Sequence, residues 1–238
     1  MEHIFFFIIA FIATTISAVA GFGTSTILIP FSLLILDIKT AIVLVAFFHL
    51  FGNLSKIAIF KKIDWKIFLK FGIPSILTAF IGAKLITTLN TETIQVIFGL
   101  FLVAFVAYSF LVNVVKFKPT NCVAVSGGLA SGFLAGLIGT GGAIRSLFLN
   151  AFSLPKEIYI ATSAMIALVI DMTRIPVYLM DGIVLDTMHY YYIPILIIIA
   201  FVGTLFGKKI VQKIPTETFR KVVLIALFLI GIKLLFSI

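Results

Sequence analysis

Gly139-Thr140-Gly141-Gly142-Ala143-Ile144-Arg145 interrupts one long apolar run and sets a guanidinium just past three glycines. A weaker copy, Gly21-Phe22-Gly23-Thr24-Ser25-Thr26, interrupts the first run of the chain. Glycine lets backbone approach closely and turn freely. Inside a bilayer the freed N–H groups need partners, so a broken helix is tolerated only where it is buried in protein or lines a cavity. The two breaks are therefore expected to face each other and build an anion pathway.

The composition puts these breaks in a membrane. The chain has 238 residues, is 62% hydrophobic and only 11% charged, with a mean hydropathy of +1.27. Soluble domains run nearer half apolar and a quarter charged, and several runs here reach the roughly 20 residues that a bilayer core requires. No polar stretch is long enough for a soluble domain, so function is expected in the membrane. The net charge of +9 does not imply nucleic acid, because the basic residues sit in short loops and at segment ends: Lys61, Lys62, Lys66 and Lys70, Lys116 and Lys118, then Lys208, Lys209, Lys213, Arg220 and Lys221. That is the pattern of membrane orientation signals. Cys122 is the one cysteine; it has no intrachain partner and reads as a small buried apolar residue. Ala18-Val19-Ala20 resembles a signal-peptide cleavage site, but Met1-Glu2-His3 lacks the basic residues of such a leader. The segment is expected to stay in the mature protein.

In order, the apolar runs are 4–36, 39–60, 67–88, 93–115, 121–154, 157–180, 189–211 and 217–237. The pattern restarts at 119, which divides the chain into membrane repeats 1–118 and 119–238 of one membrane domain. An offset of 118 carries Gly21 and Gly23 onto Gly139 and Gly141, Asn53 onto Asp171 and Lys56 onto Arg174. An offset of 125 carries Thr91-Glu92-Thr93 onto Thr216-Glu217-Thr218. The loop after residue 60 is basic and its counterpart after 180 is not, while the next pair of loops reverses the bias. Positive-inside logic then makes the halves inverted. Inversion needs an odd number of crossings per half. Three come from the later runs, so the glycine-broken run would enter and return as a hairpin. Its roughly 33 residues make about 50 Å of helix, too long for one upright span. A kinked, tilted span with parallel halves is the rival.

Few polar residues lie inside the runs. Arg145 reads either as a structural arginine binding helix-end carbonyls or as a planar, permanently charged fork for an oxyanion. A helix beginning at Gly142 would aim N–H groups and a positive dipole end at the break, which favours the second. Asp171 and Arg174 share a helix face, so they neutralise each other or Asp171 serves as a coupling site. Asn53 and Lys56 are their counterparts. Lys56 and Arg174 would add positive potential, with snorkelling as the competitor. Thr24 and Ser25 satisfy backbone or bind the anion, and His49 reads as a packed interior residue, with a proton shuttle as the alternative. Trp65 and Tyr190-Tyr191-Tyr192 read as interface anchors. With no phosphate-binding Gly-rich loop, no H-E-x-x-H and no Cys/His cluster, neither an enzyme nor a cofactor or metal is expected.

The duplicated unit resembles the sulfite exporter TauE/SafE family of prokaryotic membrane permeases. The resemblance rests on the two breaks, on Leu154-Pro155-Lys156-Glu157 followed by Ala161-Thr162-Ser163, and on Gly82-Ala83-Lys84-Leu85 with Gly207-Lys208-Lys209-Ile210. In the first half Leu44-Val45 stands in place of Thr-Ser, and the first break lacks the glycine triplet. The resemblance implies transport of small anions, chiefly sulfite and organosulfur acids such as sulfonates. The expected protein is an all-α, multi-pass carrier in a prokaryotic cell membrane, with an oxyanion site made of Gly21, Gly23, Thr24, Ser25, Gly139, Gly141, Gly142, Arg145, Asn53, Lys56 and Arg174, and Asp171 for coupling. Its partners would be the lipid bilayer and the anion, with a homodimer left open. A membrane scaffold and a passive anion channel are the alternatives.

Overall fold

A computed structural model describes residues 2–20, 23–111, 117–183, 185–210 and 216–236. Their regular structure is helical: α1 (Glu2–Ala20), α2 (Thr24–Ser32), α3 (Ile38–Phe60), α4 (Trp65–Thr88), α5 (Thr91–Leu111), α6 (Asn121–Ile138), α7 (Gly142–Leu149), α8 (Lys156–Met180), a single turn α9 (Thr187–Tyr190), α10 (Tyr192–Ile210) and α11 (Thr216–Phe236). Six helices among the described residues are long and apolar enough to cross a membrane, α3, α4, α5, α6, α8 and the stretch Thr187–Gly207. The helices start where local chemistry tells them to. Asp37 accepts from the N–H groups of Lys39 and Thr40, Asp64 from Ile67, and Thr120 from Val123. Each removes an orphan donor at a helix start.

The order long helix, break, short helix, three long helices occurs twice. Thr24 and Gly142 open the two short helices, and Thr91 and Thr216 open the two last ones. Two pairs of matching helices pack antiparallel, α3 on α8 and α5 on α11. Between α3 and α8, Asn53 meets Asp171 while Asp64, further along, meets Thr162. Between α5 and α11, Gly99 faces Gly231 and Leu235, and Val103 faces Gly231.

After the second break the chain doubles back. Phe148 of α7 covers Gly127 of α6, and Gly141 lies against the Ser131 carbonyl. Residues after the break thus return to residues well before it, as in a hairpin rather than a kinked span.

α6 itself lies parallel to α4 along a stripe of small residues. Gly128, Gly132 and Gly136 face the carbonyls of Phe71, Ser75 and Ala79 in step, and Thr78 Oγ1 donates to the Leu129 carbonyl at 2.8 Å. Close backbone approach over glycine is how helices associate where lipid removes the hydrophobic driving force. A Cβ on Gly132 would run into the Ser75 carbonyl and backbone cannot yield as a side chain does. Gly132→Val is therefore expected to lower stability by about 1–3 kcal/mol or more, read as a fall in melting temperature in detergent. Gly52→Ala, whose nearest neighbour is Ala200 Cβ at 3.9 Å, is the control that should melt like the parent.

One expectation is corrected here. Cys122 is exposed on the first turn of α6, because it lies off the Ala124–Gly128–Gly132 stripe that packs inward. Trp65 opens α4 with 56% exposure, as an interface ring should. At the helix ends Lys84 pairs with Asp181 at 2.6 Å; that ammonium holds the Asp181 carboxyl below the usual carboxylate range.

Candidate functional site

The site begins with two glycines that end one helix and start the next. Gly139 sits in the left-handed region at φ 76° and donates to the Ala135 carbonyl at 3.1 Å. A side chain there would be strained and would also strike Ile29 and Ile42. Gly141 then opens α7, and the Arg145 N–H closes its first turn on the Gly141 carbonyl at 2.8 Å. Gly23 does the same for α2 at φ 81°. The N-cap of each short helix is a glycine that offers no capping side chain, so the positive dipole ends are not covered by their own N-cap residues.

The structure brings the two breaks together. A Cβ on Gly23 would lie 3.1 Å from the Cα of Gly142. Thr26 Oγ1 and Thr140 Oγ1, one from each break, are hydrogen-bonded at 2.7 Å. Thr24, Ser25, Thr26 and Thr140 are all buried. Among the described residues the buried Ser25 hydroxyl has no hydrogen-bond partner, and such a group costs free energy unless something else fills its coordination. Gly21 lies outside the described residues.

Three cations lie near the breaks, and they differ in how they are held. Arg174 is fully engaged: Nε and Nη2 reach Asp171 Oδ1 at 2.9 and 2.8 Å, and Nη1 donates to the Ala135 carbonyl at 2.8 Å. Tyr178 donates to the carbonyls of Gly136 at 2.5 Å and Ala135 at 3.3 Å. Tyr178 thus gives the Gly136 carbonyl at the end of α6 a donor, and Arg174 adds one to the Ala135 carbonyl, which already accepts from Gly139 N–H. Sequence reasoning weighed that structural role for Arg145, and the structure gives it to Arg174. Arg145 is 4% exposed, with Nε donating to Ser163 Oγ at 2.9 Å. Among the described residues no carboxylate pairs with it. Lys56 is half-buried; it repels Arg145 and is attracted by Asp171.

Asp171 is the single carboxylate of this group. Besides Arg174 it takes His49 Nδ1 at 2.9 Å and Asn53 Nδ2 at 3.2 Å on Oδ2. Asn53 and Asp171 are the residues that the 118 offset makes counterparts, and here they touch. The sequence favoured a packed interior residue at His49 over a proton shuttle and did not foresee its bond to Asp171. The available signal was its place one turn before Asn53, which puts both on one face of α3.

A bundle of apolar helices that buries a positively charged polar centre between two helix breaks has the build of a membrane transporter. The comparisons with known proteins agree. The chain belongs to the Sulfite exporter TauE/SafE family, whose model matches residues 6–234. It is 26% identical over 279 aligned positions to the "Probable membrane transporter protein YunE" of Bacillus subtilis (strain 168), an alignment covering 100% of this chain and 98% of the relative. The protein is thus a multi-pass membrane transporter and not an enzyme.

Proposed function

We propose that this chain carries a small oxyanion, sulfite or an organosulfonate, across the cell membrane from a site where its two helix breaks meet. The family name points to sulfite, and the charge balance supports an anion. Arg145, Lys56 and Arg174 stand against Asp171 alone, so the centre carries a surplus of positive charge in a place where charge is costly. An oxyanion offsets that surplus. Arg145 is the direct ligand, since it is the buried arginine without a carboxylate partner. The N–H groups around Gly23, Gly141 and Gly142 and the Ser25 hydroxyl complete the cradle, the arrangement by which broken membrane helices hold anionic groups. Thr24, Gly139 and Asn53 shape it, and Arg174 and Lys56 contribute potential rather than contact.

Residues 1–118 and 119–238 act in this reading as inverted repeats. The antiparallel packing of α3 on α8 and of α5 on α11 supports it, as does the meeting of Asn53 with Asp171. A site on the axis between such halves can open to either side by rocking one half against the other.

The test is uptake of labelled sulfite and methanesulfonate into liposomes holding the purified protein. Saturable flux of at least one supports a carrier. Linear, unsaturable flux would make the protein a channel, and absence of both flux and binding from folded protein would sink the anion assignment.

A further inference from the structure

The geometry around Asp171 decides which buried group can hold a proton. Oδ1 takes two donors from Arg174, and Oδ2 takes one each from His49 and Asn53. A carboxylate offers about four lone-pair sites, so a proton on Asp171 would have to evict a donor. Asp171 is thereby held as the anion of the cluster, and the coupling role first considered for it passes to its neighbour.

His49 Nδ1 lies 2.9 Å from Asp171 Oδ2, a contact that needs hydrogen on Nδ1. With Asn53 Nδ2 also 3.2 Å away, an accepting Nδ1 would leave the carboxylate facing a lone pair. The ring is therefore in its Nδ1–H tautomer, and Nε2 keeps a free lone pair. No hydrogen bond to Nε2 is formed among the described residues. From α8 the ring faces Asp171, which carries Arg174 on its other oxygen; from α7 it feels Arg145, and along α3 Lys56. Among the described residues, the other elements packed on α3, α2, α5 and α10 among them, bring no titratable group to it.

We infer that His49 Nε2 binds a proton that travels with the oxyanion, so that the protein is a proton–anion symporter. The inference rests on the anion reading above. The step is simple in its balance. Neutral imidazole takes one proton from water on the side to which the site is open, its Nδ1–H bond to Asp171 persists, and the imidazolium returns that proton to water on the other side when the anion leaves. The protonated ring adds one positive charge beside Arg145 and Lys56, which strengthens anion binding. Linkage makes the effect reciprocal: the bound anion strengthens proton binding by the same factor.

The experiment measures binding of sulfite and of methanesulfonate to the purified protein across about pH 4.5 to 7, on the acid side of neutrality where a histidine can change charge while lysines keep theirs. Methanesulfonate is the decisive probe because its own charge stays constant. Its Kd should rise about tenfold towards the alkaline end. In liposomes loaded with a pH-sensitive dye, its entry should acidify the interior. His49→Gln should bind methanesulfonate with one affinity at every pH and carry it without acidification. A pH-independent wild-type Kd, or acidification that survives His49→Gln, overturns the symport inference while leaving the anion site standing. If neither anion binds at any pH, the anion reading falls and this inference with it. Should His49→Gln fail to fold, the wild-type pH profile and dye signal decide alone.

Discussion

Arg145→Ala should abolish oxyanion binding without weakening the fold. Removing one partner of a buried, hydrogen-bonded charge pair costs about 2–5 kcal/mol, which is on the order of thirtyfold to several-thousandfold in Kd. The stability side of the prediction is what separates ligand from scaffold. No carboxylate among the described residues pairs with Arg145, and its Nε is held by Ser163 alone. Truncation therefore strands no buried anion and removes one unpaired cation from the membrane interior, where each cation is costly. The melting temperature in detergent should stay level or rise while sulfite binding, followed by isotope competition, disappears. Arg145→Lys should recover part of the affinity, since it restores charge but not the planar fork. Ser25→Ala should cost less, about tenfold, because it deletes one hydroxyl donor and relieves an unsatisfied one. If Arg145→Ala melts well below the parent and still binds sulfite, the arginine is structural and the site lies elsewhere.

Much of this was legible in the sequence because membranes simplify it. Backbone satisfaction forces helices, so the run 39–60 became Ile38–Phe60 and the run 157–180 became Lys156–Met180. The glycine triplet marked the break, and α7 starts at Gly142, as the dipole argument required. The choice between a hairpin and a kinked span was not legible, because both use the same glycines. Only the packing of Phe148 back onto Gly127 separates them. The two arginines were the hardest to tell apart. Both lie inside apolar runs, and nothing local says which one will meet the carbonyl end of α6. That depends on α8 crossing α6 near Ala135, a tertiary fact that brings Arg174 and Tyr178 to those carbonyls. The stripe of Gly128, Gly132 and Gly136 went unread in the sequence, and its partner face on α4 is visible only in the packing.

Asp171→Ala should be the most destabilising single substitution in the polar centre, and the reason is arithmetic of charge rather than of contacts. Breaking a buried ion pair by removing one partner costs about 3–5 kcal/mol. Here the loss is compounded, since four donors from Arg174, His49 and Asn53 lose their acceptor together, and Arg145, Lys56 and Arg174 are left without a carboxylate. Arg174→Met should cost less. Asp171 keeps His49 and Asn53, and the Ala135 carbonyl keeps its bonds from Gly139 N–H and Tyr178. Replacing both at once, as Asp171→Leu with Arg174→Met, removes two buried charges of opposite sign and should be more stable than Asp171→Ala alone, because paired replacement by apolar residues is often neutral. Thermal unfolding of the three variants in one detergent measures this directly. A double variant as unstable as the sum of its parts would mean that the pair is held by independent bonds. Recovery in the double variant would mean that the carboxylate is there to balance the charge of Arg174.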